Sequence, residues 1–316
     1  MMKELLLDDS NPGRLMPPRG LSDTKYLSPA SMPLLETEAP AASAAKQVRP
    51  APGWWEALLW TVGFIVMSQI IPLIVLVTWG ISSGLDLEHS LQSYVLETLF
   101  AGQLLGIGWS LFALRLRVGS NWPSALQVRR PALGPCLLAV LCLPAVVVVA
   151  GVLGELAGTV FDSQEPTREL IGDSMRQYGF LICLLVIAVG PAVGEELFCR
   201  GLLGHGFVGR YGVWVGVLLT SIIFGAIHMN VAQGVYACAL GCGMHLAYLA
   251  TRSLWVPILL HFINNACAIL LLDVQGFRPE DSHSLIVAVP SIVVGIACGV
   301  ALYRLRERKE VSLEVI

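Results

Sequence analysis

Long apolar runs recur along the chain from Trp54 onward, with short polar stretches between them. Each run is long enough, or nearly long enough, to cross a hydrocarbon core of about 30 Å. Helices satisfy their own backbone hydrogen bonds in lipid, and the runs lack the alternating pattern of a membrane barrel. The pattern therefore predicts an all-α integral membrane fold, a bundle of about eight transmembrane helices over 55–81, 92–114, 133–158, 178–200, 212–229, 231–250, 255–272 and 285–303.

The two ends of the chain differ from this apolar middle. Residues 1–52 mix Pro, Ser, Ala and charges of both signs without an apolar period, which predicts a disordered cytoplasmic tail. Their first apolar patch, residues 5–7, is followed by two aspartates and is too short for the core of a signal peptide. We therefore expect an eight-helix membrane domain over 53–303 and a basic C-terminal tail over 304–316.

The composition supports a membrane protein. The chain has 316 residues, of which 55% are hydrophobic and 14% are charged, and its mean hydropathy is +0.70. Soluble proteins carry about 25% charged residues, so this balance predicts a multi-pass integral membrane protein, in the inner membrane if the cell is bacterial. The net charge of −3 and the lack of a basic stripe argue against a nucleic-acid partner. The eight cysteines lie in or beside apolar runs, unlike the loop framework of a disulfide-stapled domain.

Lysine and arginine residues are distributed unevenly between the predicted loops. With eight spans and the N-terminus inside, the inner segments hold 17 of the 20 basic residues. The outer segments keep the other three, Arg168, Arg176 and Arg278. The positive-inside rule therefore predicts that both termini are cytoplasmic.

Ionisable side chains in the fourth run are the first indication of chemistry. Glu195 and Glu196 end an apolar stretch, and Arg200 follows closely. A charge at membrane depth costs about 2.5–3.5 kcal/mol on insertion scales, so such residues mark function by default. Glu196 and Arg200 are four apart, which predicts an ion pair and leaves Glu195 without a partner nearby in sequence. Glu195 therefore suits a general base, while a purely structural ion pair is the alternative for the other two residues.

Two later apolar runs carry further polar groups. His228 ends the segment Phe224-Gly-Ala-Ile-His228, and His261 shares a helix face with Asn265. A histidine and an amide on one face can donate two hydrogen bonds to one oxyanion, as acyl transfer requires. Hydrogen bonding between helices is the alternative for each group. Because the three sets together supply acid, base and hydrogen-bond donors, we predict that they converge on one polar cavity inside the membrane.

These three sets resemble the signature of the CAAX-type intramembrane endopeptidases, a broad family that also takes in bacteriocin-processing and immunity-type proteins. That family shows Glu-Glu-xxx-Arg, Phe-xxx-His and His-xxx-Asn on successive core helices, and the same order occurs here within residues 178–272. The resemblance implies an eight-helix core and an enzyme that hydrolyses a peptide bond in a membrane-tethered or lipidated substrate. Its partners would then be that substrate and the surrounding membrane lipids.

The resemblance also implies a role for each matching position. Glu195 would activate water, and His228 would help to bind or polarise that water. His261 and Asn265 would hold the oxyanion of the tetrahedral intermediate. The remaining two positions of the signature would support the site, and these are Glu196 and Arg200.

Metal dependence stays open at this point. Glu195, His228 and His261 form a familiar zinc ligand set, and zinc lowers the pKa of a bound water to about 7. The set would have to assemble from separate helices, because no His-Glu-xx-His helix is present. A metal-free mechanism that uses glutamate and histidine is the alternative, so the possible cofactor is a divalent metal such as zinc.

A non-catalytic membrane protein is the alternative function. It would be a scaffold, an immunity factor or a proton-coupled transporter with a buried relay. A transporter more naturally shows repeated halves with helices broken at corresponding positions, and no internal repeat is visible. A scaffold has no need of Glu195, His228 and His261 together.

Overall fold

The computed structural model describes residues 53–84, 93–163, 167–273 and 285–314, and within these ranges the chain is helical with no strand. The predicted all-α fold is therefore confirmed, while the predicted tail over 1–52 lies outside the described residues. The main helices are α1 (Trp54–Ser82), α2 (Val95–Val118), α3 (Leu133–Val160), α4 (Thr167–Tyr178), α5 (Phe180–Tyr211), α6 (Val213–Ala226), α7 (Val231–Thr251), α8 (Trp255–Asp273) and α9 (Leu285–Glu314).

Six helices in the described ranges are long and apolar enough to cross a membrane. These are Trp54–Ser82, Val95–Ala125, Leu133–Val160, Phe180–Tyr211, Val231–Thr251 and Val287–Leu305. The apolar helices Val213–Ala226 and Trp255–Leu271 are shorter. With 14 residues, α6 is only about 21 Å long, less than the hydrocarbon thickness of about 30 Å. The predicted count of about eight spans is therefore not confirmed.

Two helices continue past the ends that the sequence predicts. The predicted end of the fourth span at residue 200 is wrong, because α5 runs on to Tyr211 and stops at Gly212, whose φ is 83°. A charge at Arg200 resembles a helix end in the sequence, but Glu196 neutralises that charge inside the helix. The last helix runs to Glu314, so most of the segment predicted as a separate tail over 304–316 is helical.

The outer faces of the helices present large apolar side chains, as lipid contact requires. Examples that are exposed are Leu59 on α1, Leu133 on α3, Leu181 on α5 and Trp214 on α6. Inside, α7 packs against α3 and α6, while α8 and α2 pack against α5. The buried core is therefore centred on α5, α6 and α7, with Phe198, Leu203, Phe207, Phe224 and Met244 among its members.

Opposite ends of the bundle are tied by different polar contacts. At one end the loop after α2 meets the loop after α7, where Arg129 Nε donates to Arg252 O at 2.8 Å and Ser253 Oγ donates to Arg129 O at 2.6 Å. At the other end, the Tyr178 hydroxyl donates to the carboxylate of Glu97 at 2.7 Å. Loss of water around this hydroxyl and its bond to Glu97 raise the pKa of Tyr178. The two basic loops thus share one side, in agreement with the charge distribution in the sequence.

Three segments within the long helices are π-helical. One, Val66–Ile70, lies in α1, and two, Leu184–Val189 and Leu197–Gly204, lie in α5. A π-helical segment inserts a wider turn into an α-helix, and such segments are frequent at functional sites. Glu195 and Glu196 lie in the short α-helical stretch Gly190–Glu196 between the two π segments of α5.

Gly102 allows α1 and α2 to touch. A Cβ at this position would lie 2.1 Å from the Ser68 carbonyl oxygen, a backbone atom, so a side chain must push the helices apart. We expect Gly102→Ala to lower the stability of the protein by about 1–3 kcal/mol, the usual effect of overpacking. The measurement is the thermal unfolding temperature in detergent.

The matched control for this prediction is Gly108→Ala on the same helix. A Cβ at Gly108 meets nothing within 4 Å. Alanine is the better helix former by about 0.5–1 kcal/mol, so this variant should be neutral or slightly stabilised. Equal unfolding temperatures for the two variants would contradict the close approach at Gly102.

Candidate active site

A fully buried ion pair lies at the centre of the bundle. Arg200 Nη1 donates to Glu196 Oε1 at 2.7 Å, and both side chains have no exposed surface. Arg200 Nη2 donates to the carbonyl of Gly241 at 2.9 Å. Gly241 is the middle residue of α7, so the pair is held at half the length of a spanning helix. The spacing-based prediction of this pair agrees with the structure.

His261 connects this ion pair to Glu195. Its Nδ1 lies 3.0 Å from Glu196 Oε1, and its Nε2 lies 4.0 Å from Glu195 Oε2. A proton on Nδ1 donates to Glu196, which leaves Nε2 as an acceptor in the neutral ring and as a second donor in the cationic ring. Glu196 therefore orients His261 as well as pairing with Arg200, a contact that sequence spacing does not reveal.

Glu195 is the accessible carboxylate of the two. Its side chain is 23% exposed, whereas the side chain of Glu196 is fully buried. The Oε2 atom of Glu195 is itself buried, and among the described residues it has no hydrogen-bond partner; the same holds for Oε2 of Glu196. The distance of 4.0 Å to His261 Nε2 is too long for a hydrogen bond but leaves the two groups facing each other. Glu195 thus differs from Glu196 in its exposure and in having no hydrogen bond to Arg200 or His261.

Phe224 brings His228 to the same place. Its ring is edge-on to His228 at 5.2 Å and to His261 at 5.6 Å between centroids. Arg200 Cζ lies 4.6 Å from the centroid of the same ring, a cation–π contact. The His228 Nδ1 lies 2.8 Å from the Phe224 carbonyl oxygen, so Nδ1 donates, and in the neutral ring Nε2 carries the lone pair. The structure therefore assembles both histidines and the ion pair around one aromatic ring.

The Asn265 side chain forms hydrogen bonds with Ile187 and Asn264. Its Nδ2 donates to the carbonyl of Ile187 at 3.1 Å, within the first π segment of α5. Its Oδ1 accepts from Asn264 Nδ2 at 3.1 Å, and Asn264 Oδ1 accepts from the Tyr236 hydroxyl at 2.6 Å. An amide nitrogen has two hydrogens, so one remains for an oxyanion after the bond to Ile187 is counted.

Two glutamines near the site were missed by the sequence reasoning. Gln69 Nε2 donates to Ile227 O at 2.6 Å, and Gln103 Nε2 donates to Val186 O at 2.5 Å. Both are polar amides within apolar runs, which is the signal that would have found them. Each joins one of the first two helices to a segment that leads into a predicted site residue.

The structure does not support the possible metal set. In the described parts of the chain, no three His, Cys, Asp or Glu side chains lie close enough together to hold a metal ion. Glu195 and His261 face each other, but they do not form such a group with His228. Metal dependence of the protein stays a hypothesis. None of the eight cysteines, all of which lie in the described ranges, forms a disulfide bond.

A large cavity of about 530 Å³ lies elsewhere in the bundle, between α3, α7 and α9. Apolar side chains line most of it, including Leu143, Val146, Leu240 and Ile296. None of the predicted site residues contributes to its wall. The predicted polar cavity is therefore not confirmed, although Glu195 lies 4.0 Å from His261, and His228 and His261 both contact the ring of Phe224.

Part of the chain that carries this arrangement is similar to known membrane proteases. Residues 177–267, which hold all three motifs, match the family model described as Type II CAAX prenyl endopeptidase Rce1-like. The resemblance drawn from the motifs is thereby confirmed. Together with the apolar helices, these similarities identify a multi-pass integral membrane protein.

Two curated bacterial proteins are similar to the chain. "Membrane-embedded CAAX protease MroQ" of Staphylococcus aureus (strain USA300) is 23% identical over 235 residues, which cover 72% of this chain and 91% of that protein. "Putative membrane peptidase YdiL" of Bacillus subtilis (strain 168) is 24% identical over 123 residues, 38% of this chain. That match spans only half of the length of YdiL. No solved structure matches the chain.

Proposed function

We propose that the protein is an intramembrane endopeptidase that hydrolyses a peptide bond in a membrane-tethered or lipidated substrate. The observation that carries the proposal is a partly exposed Glu195 that faces His261 at 4.0 Å, while Glu196 hydrogen-bonds to the other nitrogen of that ring and pairs with Arg200. An ion pair that served only to stabilise the helix would need neither Glu195 nor the two histidines. The match to a protease family over residues 177–267 supports the same conclusion.

Glu195 acts as the general base in the proposed reaction. Its carboxylate accepts a proton from a water molecule, and the oxygen of that water attacks the carbonyl carbon of the substrate. His228 presents the lone pair of Nε2, because Nδ1 is committed to the Phe224 carbonyl. This nitrogen accepts a hydrogen bond from the water and orients it. General base catalysis of this kind contributes about 10²–10⁴-fold to a rate.

The attack moves the carbonyl electrons onto oxygen, and that oxyanion needs donors. His261 supplies Nε2–H when both of its nitrogens are protonated, with Nδ1–H remaining on Glu196. Asn265 supplies the amide hydrogen that Ile187 does not use. One donor of this kind is typically worth about 10²–10³ in turnover.

Collapse of the intermediate completes the hydrolysis. The oxyanion electrons re-form the carbonyl, the bond from carbon to nitrogen breaks, and the leaving amine takes the proton that Glu195 had accepted. One water and one peptide give one carboxylic acid and one amine, so Glu195 returns to its starting state. The same carboxylate thus accepts the proton from water and later gives it to the leaving amine.

The experiment uses the purified protein in lipid nanodiscs and two fluorogenic peptides. One peptide ends in a farnesylated Cys-a-a-X sequence, and the other has the same sequence without the lipid. We expect the wild type to cleave the lipidated peptide, and the cleavage site to be internal by mass spectrometry. The Glu195→Gln protein, prepared in parallel, controls for contaminating proteases.

A second arm of this experiment tests for substrates other than Cys-a-a-X peptides. Membranes from cells with the wild type and with Glu195→Gln are compared for membrane-bound peptides that accumulate only in the variant. Cleavage in neither arm by a folded wild type would overturn the proposal in favour of a non-catalytic protein. Equal cleavage by Glu195→Gln would overturn the assignment of the base.

A further inference from the structure

Two glutamines in the first two helices bond to backbone carbonyls beside the site. Gln69 lies in the π segment Val66–Ile70 of α1, and Gln103 lies in α2. Both side chains are partly buried, and each donates through Nε2 to a carbonyl more than 80 residues away along the chain. Neither belongs to the three motifs that carry the chemistry.

The bond from Gln69 is directed at the backbone of His228. Its acceptor, the carbonyl of Ile227, forms the peptide bond that His228 shares, and the distance is 2.6 Å. The last carbonyls of a helix have no partner within the helix, and α6 ends at Ala226. His228 Nδ1 bonds the Phe224 carbonyl at the same helix end. Gln69 thus holds the turn from which the His228 ring projects.

The bond from Gln103 is directed at the helix that carries Glu195. Its acceptor is the carbonyl of Val186, in the π segment Leu184–Val189 that precedes Glu195. Asn265 bonds the next carbonyl, that of Ile187, at 3.1 Å. Two neighbouring carbonyls of one π segment are therefore bonded from two different helices. This fixes the rotation of α5 just before the two glutamates.

A glycine makes room for the second of these bonds. A Cβ at Gly190 would lie 1.7 Å from Oε1 of Gln103 and 2.4 Å from its Cδ. The clash is with the end of a flexible side chain, so an alanine there would displace the carboxamide and leave the backbone in place. Gly190→Ala is therefore a second way to break the same hydrogen bond.

We propose that Gln69 and Gln103 are positioning residues that set the places of His228 and Glu195 by hydrogen bonds to the Ile227 and Val186 carbonyls. The proposal rests on the proposed function for its kinetic arm only. Neither glutamine contacts the reacting atoms, so both act through the backbone. Unsatisfied carbonyls in lipid are strongly disfavoured, which makes these two bonds persistent restraints on the site.

The test compares Gln69→Leu and Gln103→Leu with Gln69→Glu and Gln103→Glu. Leucine removes the donor, whereas a protonated glutamic acid has nearly the same shape and still donates to a carbonyl oxygen. The matched control is Gln177→Leu, because Gln177 also donates to a backbone carbonyl, that of Ser93 at 2.9 Å, but is exposed and outside the site. Gly190→Ala accompanies Gln103→Leu.

In the kinetic arm, the leucine variants should lower kcat with little change in KM. A misplacement of about 1 Å at an active site costs about 10²-fold in rate, which sets the scale of the expected loss. Measured against the wild type at the same pH, the glutamic acid variants should keep activity at low pH and lose it as pH rises, because an ionised carboxylate cannot donate. Gln177→Leu should match the wild type, and Gly190→Ala should match Gln103→Leu.

The second arm needs no enzymatic activity. Proteins with ¹⁵N-labelled histidine are compared by NMR in detergent, with the ring signals assigned by substitution. Gln69→Leu should shift the ring signals of His228 more than those of His261, and Gln177→Leu should shift neither. Unmoved His228 signals in Gln69→Leu would overturn the proposal whatever the substrate is. If the wild type cleaves a substrate, a kcat of Gln103→Leu equal to that of the wild type would also overturn the proposal.

Discussion

Glu195→Gln is expected to reduce peptide cleavage by about 10²–10⁴-fold, the usual contribution of a general base. The amide keeps the size of the side chain but cannot accept a proton from water. Because Glu195 is partly exposed and its Oε2 is unpartnered among the described residues, the thermal unfolding temperature should stay close to that of the wild type. The measurements are initial cleavage rates and unfolding temperature on the same purified sample.

Glu196→Gln is the comparison for this variant, one residue away and equal in size. Glu196 accepts from both Arg200 and His261, so its amide variant should lower unfolding temperature as well as activity. We expect the loss of turnover in Glu196→Gln to be smaller than in Glu195→Gln. Equal losses of turnover in both variants, at equal stability, would mean that the roles of the two glutamates are wrongly assigned.

Arg200→Met is expected to lower the folded yield sharply. It removes the partner of a fully buried carboxylate, and breaking one half of a buried ion pair typically costs about 3–5 kcal/mol. The variant also loses the bond to the Gly241 carbonyl. The measurements are the fraction of monodisperse protein after extraction and the unfolding temperature in detergent.

Arg176→Met is the control for this second prediction. Arg176 pairs with Asp173 through the same chemistry, but both side chains are largely exposed. Exposed pairs are worth about 0–1 kcal/mol, so this variant should unfold at nearly the wild-type temperature. A similar unfolding temperature for Arg200→Met and Arg176→Met would show that Arg200 does not stabilise the core.

Local spacing made part of the site predictable. A separation of four residues on a helix was enough to pair Glu196 with Arg200, and the order of the motifs was enough to group His228 and His261 with them. Apolar runs also predicted most helix positions, because a membrane leaves the backbone few alternatives. These features depend on short stretches of sequence and on the solvent, and both are visible without a structure.

The remaining features depend on how helices rotate against each other. His261 hydrogen-bonds to Glu196, and Asn265 hydrogen-bonds to Ile187. Both contacts depend on the rotation of α8 relative to α5, which spacing within one helix does not determine. The π segments rotate α5 further. Their signal in the sequence is weak: two of the three are followed by a proline, Pro72 or Pro191, which lacks a backbone N–H. The end of α5 was misplaced because Arg200 looks like a boundary until its two buried partners are known.

The short α6 has a consequence for the lipid around the protein. Its outer face carries exposed Trp214, Leu218 and Ile222, so lipid tails contact a helix only about 21 Å long. A bilayer thins, or its headgroups and water sink inward, beside a helix shorter than its hydrocarbon layer. His228 follows directly after this helix. Under the proposed function, the reactant water would have its shortest route beside this helix, and acyl-chain length would be a variable of the reaction.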